Sequence, residues 1–172
     1  MLGLFLSIRG RIGSGHFIFG GYILILISIA LGLFDKLVFG SVLAPFVGTL
    51  TFMAGLVVIV AWVSLWVKRI HNSGKSGALV LAFIAGYGAV VLVVTILLIL
   101  LFTDGTFFDL ALRQASGAID KREYYKALEA MAPKVMLPII VSRAISSLIV
   151  LHVGNMILPN QSDNNTYGPP PH

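Results

Sequence analysis

The sequence predicts an all-α integral membrane protein: four transmembrane helices, with short amphipathic surface helices in the loop between spans three and four. Three observations predict it. Of 172 residues, 58% are hydrophobic and only 11% charged, against about 25% charged in an ordinary soluble domain, so there is too little polar surface to wrap a water-soluble globule. The apolar residues gather into four long runs, and about 20 such residues cross a bilayer as a helix. The remaining charges crowd into one loop and the ends of the runs. Four spans and one modest loop fill the chain as a single membrane domain (1–172), which excludes a large enzyme domain. The chain has no cysteine, hence no disulfide framework, thiolate metal site or cysteine nucleophile. Its net charge of +5 sits beside apolar runs, where it reads as membrane orientation and not as nucleic-acid binding.

The elements follow in chain order. Leu2, Phe5, Leu6 and Arg9 fall at i, i+3, i+4 and i+7, which suits a short helix lying in the interface. Arg9 and Arg11 follow the apolar residues instead of preceding them, unlike a cleaved signal peptide, so the segment reads as an uncleaved anchor. The first span occupies 17–34 and stops at Asp35-Lys36. The apolar stretch 37–67 is too long for one untilted crossing. Pro45 divides it, because proline is tolerated at a helix start and disruptive inside one. The second span is therefore 46–67, with Trp62 and Trp66 at its interfacial end.

The third span, 78–102, carries no charge. Ala78, Ala82 and Gly86 recur every four residues with Ala85 and Ala89 beside them, a small-residue stripe that predicts close helix packing. The extramembrane loop 103–136 balances Asp104, Asp109, Asp120, Glu123 and Glu129 against Arg113, Lys121, Arg122, Lys126 and Lys134. Within it Asp120 and Glu123 fit a capping box, and Tyr124, Leu128 and Met131 continue at helical spacing until Pro133. That predicts a short surface helix, with a second near 107–115. The fourth span, 137–158, contains Arg143 and His152 and ends at Pro159. A polar, proline-rich tail, 159–172, follows.

Lys and Arg near span ends set orientation. With the N-terminus inside, Arg9, Arg11, Lys68, Arg69 and Lys75 are cytoplasmic and only Lys36 lies in the short outer loop. The charges of 103–136 are balanced and count little. Both termini are expected in the cytoplasm.

No reactive constellation emerges. Gly74-Lys75-Ser76 matches the end of a phosphate-binding loop, but that motif needs a glycine five residues before Gly74, where Arg69 stands, and a preceding strand. His16, His71, His152 and His172 are scattered without ligand spacing, so no metal and no cofactor is expected, and no enzymatic activity. Arg143 is different, because an intramembrane arginine is costly and faces protein or water. It lies about 9 Å past Leu137 by helical rise, within snorkelling reach of the outer interface.

Three separated segments resemble the signature of the bacterial inner-membrane family known as domain of unknown function 805. They are Gly10-Arg11-Ile12-Gly13 with Phe17 and Gly20; Lys68-Arg69-Ile70-His71-Asn72 with Gly74-Lys75-Ser76-Gly77; and Asp163 with Asn165-Thr166-Tyr167-Gly168-Pro169. The chain departs from the pattern at Ser14, Ile18, Asn72 and Ala78. The resemblance covers most of the chain except 103–136. It implies a multi-pass protein of the bacterial inner membrane and supplies no activity.

With both ends inside, all three segments meet at the cytoplasmic face. Arg11, Lys68, Arg69, His71 and Lys75 are expected to form a basic rim capped by Asp163, Asn165 and Tyr167, a clasp able to contact anionic lipid or a partner. The expected role is an accessory or scaffold subunit, with membrane lipids and other integral membrane subunits as partners and no nucleic acid. The alternative is a small carrier or channel component using Arg143.

Overall fold

The structure, a computed structural model, describes residues 2–171. Helix α1 (Leu2–Leu6) precedes α2 (Ser14–Val38) and α3 (Ala44–Asn72); a 3-10 turn (Gly77–Leu79) leads into α4 (Val80–Thr103), then α5 (Thr106–Ala115) and α6 (Lys121–Ile157). Four of these elements are long and apolar enough to cross a membrane, namely α2, α3, α4 with its leading turn, and α6. The chain is a four-span, all-α membrane protein.

Local chemistry sets the boundaries. Pro45 sits in the first turn of α3, where its missing N–H costs nothing. Ser76 accepts from the Ala78 N–H to start the turn before α4. Asp104 and Gly105 both take left-handed backbone, φ 48° and 76°, which reverses the chain between α4 and α5. The Asp120 side chain accepts from the Glu123 N–H at 2.7 Å and caps α6.

One boundary differs from expectation. Pro133 does not end a surface helix, because α6 runs unbroken for 37 residues with Pro133 and Pro138 inside it. The carbonyls that these prolines leave free belong to Glu129 and Lys134, on the stretch expected outside the hydrocarbon, where water can satisfy them. At about 55 Å, α6 exceeds a bilayer core of about 30 Å, so its first turns stand clear of the hydrocarbon with α5 against them. The expected second surface helix is α5.

The spans are arranged as a row more than a closed ring. α2 lies between α3 and α6, α4 lies on α6, and α1 packs on α3. The largest buried cluster, including Phe17, Leu24, Leu65, Trp66, Ile70, Leu151 and Leu158, occupies the end of the bundle that holds both chain termini. There Trp66 stacks on Phe83 at 4.3 Å and meets Phe17 edge-on at 4.7 Å, joining α3, α4 and α2.

Close approach comes from glycines outside the expected stripe. A Cβ on Gly20 would lie 2.9 Å from Leu65 on α3, and one on Gly32 2.9 Å from Ile140 on α6. Ala78, Ala82 and Gly86 are exposed instead, and nothing lies within 4 Å of a Cβ built on Gly86. The stripe does not pack inside the chain, since α4 meets α6 through its opposite side.

Candidate functional site

The termini-bearing end of the bundle is closed by two guanidinium hubs. Arg69 lies in the last turn of α3 and is only 1% exposed. Its Nε donates to Asn155 Oδ1 at 2.9 Å and its Nη1 to Asn160 Oδ1 at 2.7 Å. Nη2 donates to the Asn155 carbonyl at 3.2 Å and to the Leu158 carbonyl. Asn155 is in the last turn of α6 and Leu158 is its C-cap, so these carbonyls belong to the set a helix end leaves unpaired. The guanidinium therefore satisfies orphan acceptors and places positive charge at the negative end of the α6 dipole. This stabilises a buried cation that has only neutral oxygens as partners.

Arg11, in the loop before α2, uses all five N–H groups. Nε and Nη2 donate to Asn72 Oδ1 at 3.2 and 3.0 Å. Nη2 also reaches the Gln161 carbonyl at 2.6 Å, and Nη1 the carbonyls of Asp163 and Gly168 at 2.8 and 2.9 Å. A planar donor fork suits this task where a lysine could not span it. Asn160 links the hubs, because its Oδ1 accepts from both Arg69 and Asn72 Nδ2.

The tail folds back onto α3. Asn165 and Gly168 exchange backbone hydrogen bonds in a tight reversal. Asn165 Nδ2 donates to the His71 carbonyl at 3.0 Å. The Tyr167 ring lies flat on His71, centroids 3.8 Å apart and planes 5° apart, while His71 Nδ1 is 3.4 Å from the Gly10 carbonyl. Lys68 is buried and its Nζ donates to the Leu4 carbonyl at 3.1 Å, tying α1 to α3. Asn155 Nδ2 donates to Ser14 Oγ at the start of α2.

Of the expected rim, the structure brings together Arg11, Lys68, Arg69, His71, Asn165 and Tyr167. Asp163 joins through its carbonyl and not its carboxylate. Lys75 is exposed, and its side chain takes no part in the network. Sequence reasoning missed Asn155, Asn160, Gln161 and Leu158; the one available signal was a pair of amides flanking Pro159, beside a span that lacks any acid to neutralise Arg69. A cavity of about 400 Å3 opens beside the knot, lined by Gly13, Asn72, Asn160, Gln161, Ser162, Pro170 and Pro171.

The other polar groups lie along the spans. Thr95 Oγ1 donates to Ser142 Oγ at 2.8 Å between α4 and α6. Tyr22 Oη lies 3.1 Å from His152 Nε2 between α2 and α6. Ser146 Oγ is buried without a hydrogen-bond partner, whereas Arg143 is exposed. Among the described residues no group of three His, Cys, Asp or Glu could hold a metal ion.

The family model described as protein of unknown function (DUF805) matches residues 5–109, more than half of the sequence, and the chain belongs to that family. The match contains the first two signature segments and stops before α6 and the tail. No curated protein and no solved structure matches the chain.

Proposed function

We propose that this DUF805 member is a non-enzymatic accessory subunit of the bacterial inner membrane, with both termini in the cytoplasm and α4 seated against a helix of a larger membrane complex. The observation behind this reading is the outward face of α4. That helix leans on α6 and, with Ala78 of the turn before it, leaves Ala82, Ala85, Gly86 and Ala89 exposed. In lipid there is no hydrophobic drive between helices, so association depends on close packing, which small side chains permit. The knotted end serves as a fixed frame: its arginines spend their donors on the chain's own carbonyls and amides.

The test is native purification of the untagged chain in mild detergent, compared with Ala82→Leu/Gly86→Leu. The wild type is expected in a larger assembly and the double variant as a free, folded chain. A wild type that is already monomeric and without protein partners would sink the proposal.

A further inference from the structure

Charge is divided unevenly along the bundle. The chain has seven acids, and six of them, Asp35 and the five of 103–136, lie toward the α5 end. The termini-bearing end has Arg9, Arg11, Lys68, Arg69 and Lys75 against Asp163 alone. Asp163 does not neutralise the knot, because it meets Arg11 through its carbonyl. Among the described residues every other partner of the two hub guanidiniums is also a neutral oxygen. Such acceptors occupy the N–H groups and leave two full positive charges in place, one buried and one half-buried, where enclosed charges are ordinarily paired.

The cavity of about 400 Å3 lies against both charges. Asn72 and Gln161, which border it, are hydrogen-bonded to Arg11, and Asn160, which also borders it, to Arg69. Its walls have donors to spare. Asn160 Nδ2 and Gln161 Nε2 donate to nothing among the described residues, and the buried Asn72 commits one of its two amide N–H groups, to Asn160. Gly13, on the same wall, is the N-cap of α2 and has no side chain to offer that helix. The N–H groups of Ser14, Gly15 and His16 are therefore left without an acceptor among the described residues, at the positive end of a 25-residue helix. No acid lines the cavity among the described residues.

We infer that this cavity is an anion site that takes a phosphate group. Two cations without a counter-charge, unspent amide donors and an open helix N-terminus border one volume, supplied by α2, α3 and the tail. A phosphate brings negative charge together with several acceptor oxygens, whereas chloride brings the charge alone. Free phosphate and a phospholipid headgroup at this end of the bundle share that chemistry, and the experiment separates them.

The full chain, freed of lipid in a maltoside detergent, is titrated with inorganic phosphate at an ionic strength held constant with chloride, and thermal unfolding is read by tryptophan fluorescence. The wild type is expected to gain stability as phosphate replaces chloride, as a ligand of the folded state alone requires. Ser162 borders the cavity, is exposed and makes no hydrogen bond among the described residues, so it can carry a test charge without disturbing the hubs. Ser162→Glu should weaken phosphate at least about tenfold, while in chloride it should unfold at or above the wild-type temperature, because its carboxylate supplies the absent counter-charge. Ser162→Gln, equal in length and neutral, should respond to phosphate as the wild type does. Equal unfolding temperatures of the wild type in phosphate and in chloride overturn the inference. So does an undiminished phosphate response in Ser162→Glu, which would place the ion on the exposed Arg9 or Lys75. Native mass spectrometry of the chain released from nanodiscs of phosphatidylglycerol then identifies the source. A retained lipid that inorganic phosphate displaces assigns the site to a headgroup; phosphate binding without a retained lipid assigns it to the free ion.

Discussion

Replacing Gly154 by alanine tests the packing on which the spans converge. The new Cβ would lie 2.7 Å from Trp66 Cζ3 and 2.9 Å from Phe83 Cε1, where carbon atoms in contact stand about 3.5–4.0 Å apart. The rings have little room to withdraw. Trp66 is 7% exposed and backed by Phe17, which is 0% exposed, and Phe83 is stacked on the other face of the indole. Overpacking of this kind costs about 1–3 kcal/mol, while glycine to alanine inside a helix returns about 0.5–1 kcal/mol. The net expectation is a loss of about 1–2 kcal/mol, or a Tm lower by about 3–6 °C for a chain of this size. Thermal unfolding in detergent, followed by tryptophan fluorescence, measures it. Gly86→Ala supplies the contrast: an added Cβ meets nothing within 4 Å, so the isolated chain should gain about 0.5–1 kcal/mol. A second change, Trp66→Phe, should relieve much of the Gly154→Ala defect. If Gly154→Ala unfolds at or above the wild-type temperature, the convergence of α3, α4 and α6 on this glycine is wrong.

Further outcomes follow from the same structure. Arg69→Lys retains the charge but not the fork, and should cost about 2–4 kcal/mol through acceptors left unpaired, with the tail becoming sensitive to protease. Asp120→Ala should cost about 0.5–2 kcal/mol, read as faster hydrogen exchange at the Glu123 amide with the spans unchanged. Because the chain lacks cysteine, single cysteines report orientation directly. In intact cells an impermeant maleimide should label Ser116→Cys and should reach Ser162→Cys only after permeabilisation; the reverse pattern would invert the topology.

The four spans were legible because they need only length and the absence of charge, and both are properties of contiguous sequence. The joining of the α6 extramembrane turns to the fourth span was not legible, since a proline is a breaker only when its freed carbonyl has no other partner. Outside the hydrocarbon water can supply one, and Glu129 is on the stretch expected there. Spacing identified the stripe of Ala78, Ala82 and Gly86 but could not say which way it faces; that depends on α4 meeting α6 through its other side. Arg11 and Arg69 were visible as cations near span ends. Their partners were not, because backbone carbonyls and the amides of Asn155 and Asn160 carry no charge pattern that pairs with a cation. In the structure the tail returns to α3 and Tyr167 lies flat on His71, a pairing of rings that residue spacing alone does not specify.

The hubs also order the making of the protein in time. Arg69 finds its acceptors 86 and 91 residues downstream, and Arg11 reaches as far as Gly168, 157 residues on. Until α6 has been inserted, a chain with three spans in the membrane holds Arg69 with none of its acceptors, at a position that becomes almost wholly enclosed. Such an intermediate keeps that end of the bundle wet and open, because a buried guanidinium without acceptors is strongly unfavourable. Closing the end therefore waits for Asn155, Leu158 and Asn160, and a chain truncated before Asn155 cannot perform it, so such a copy differs from a longer one in the accessibility of a single arginine.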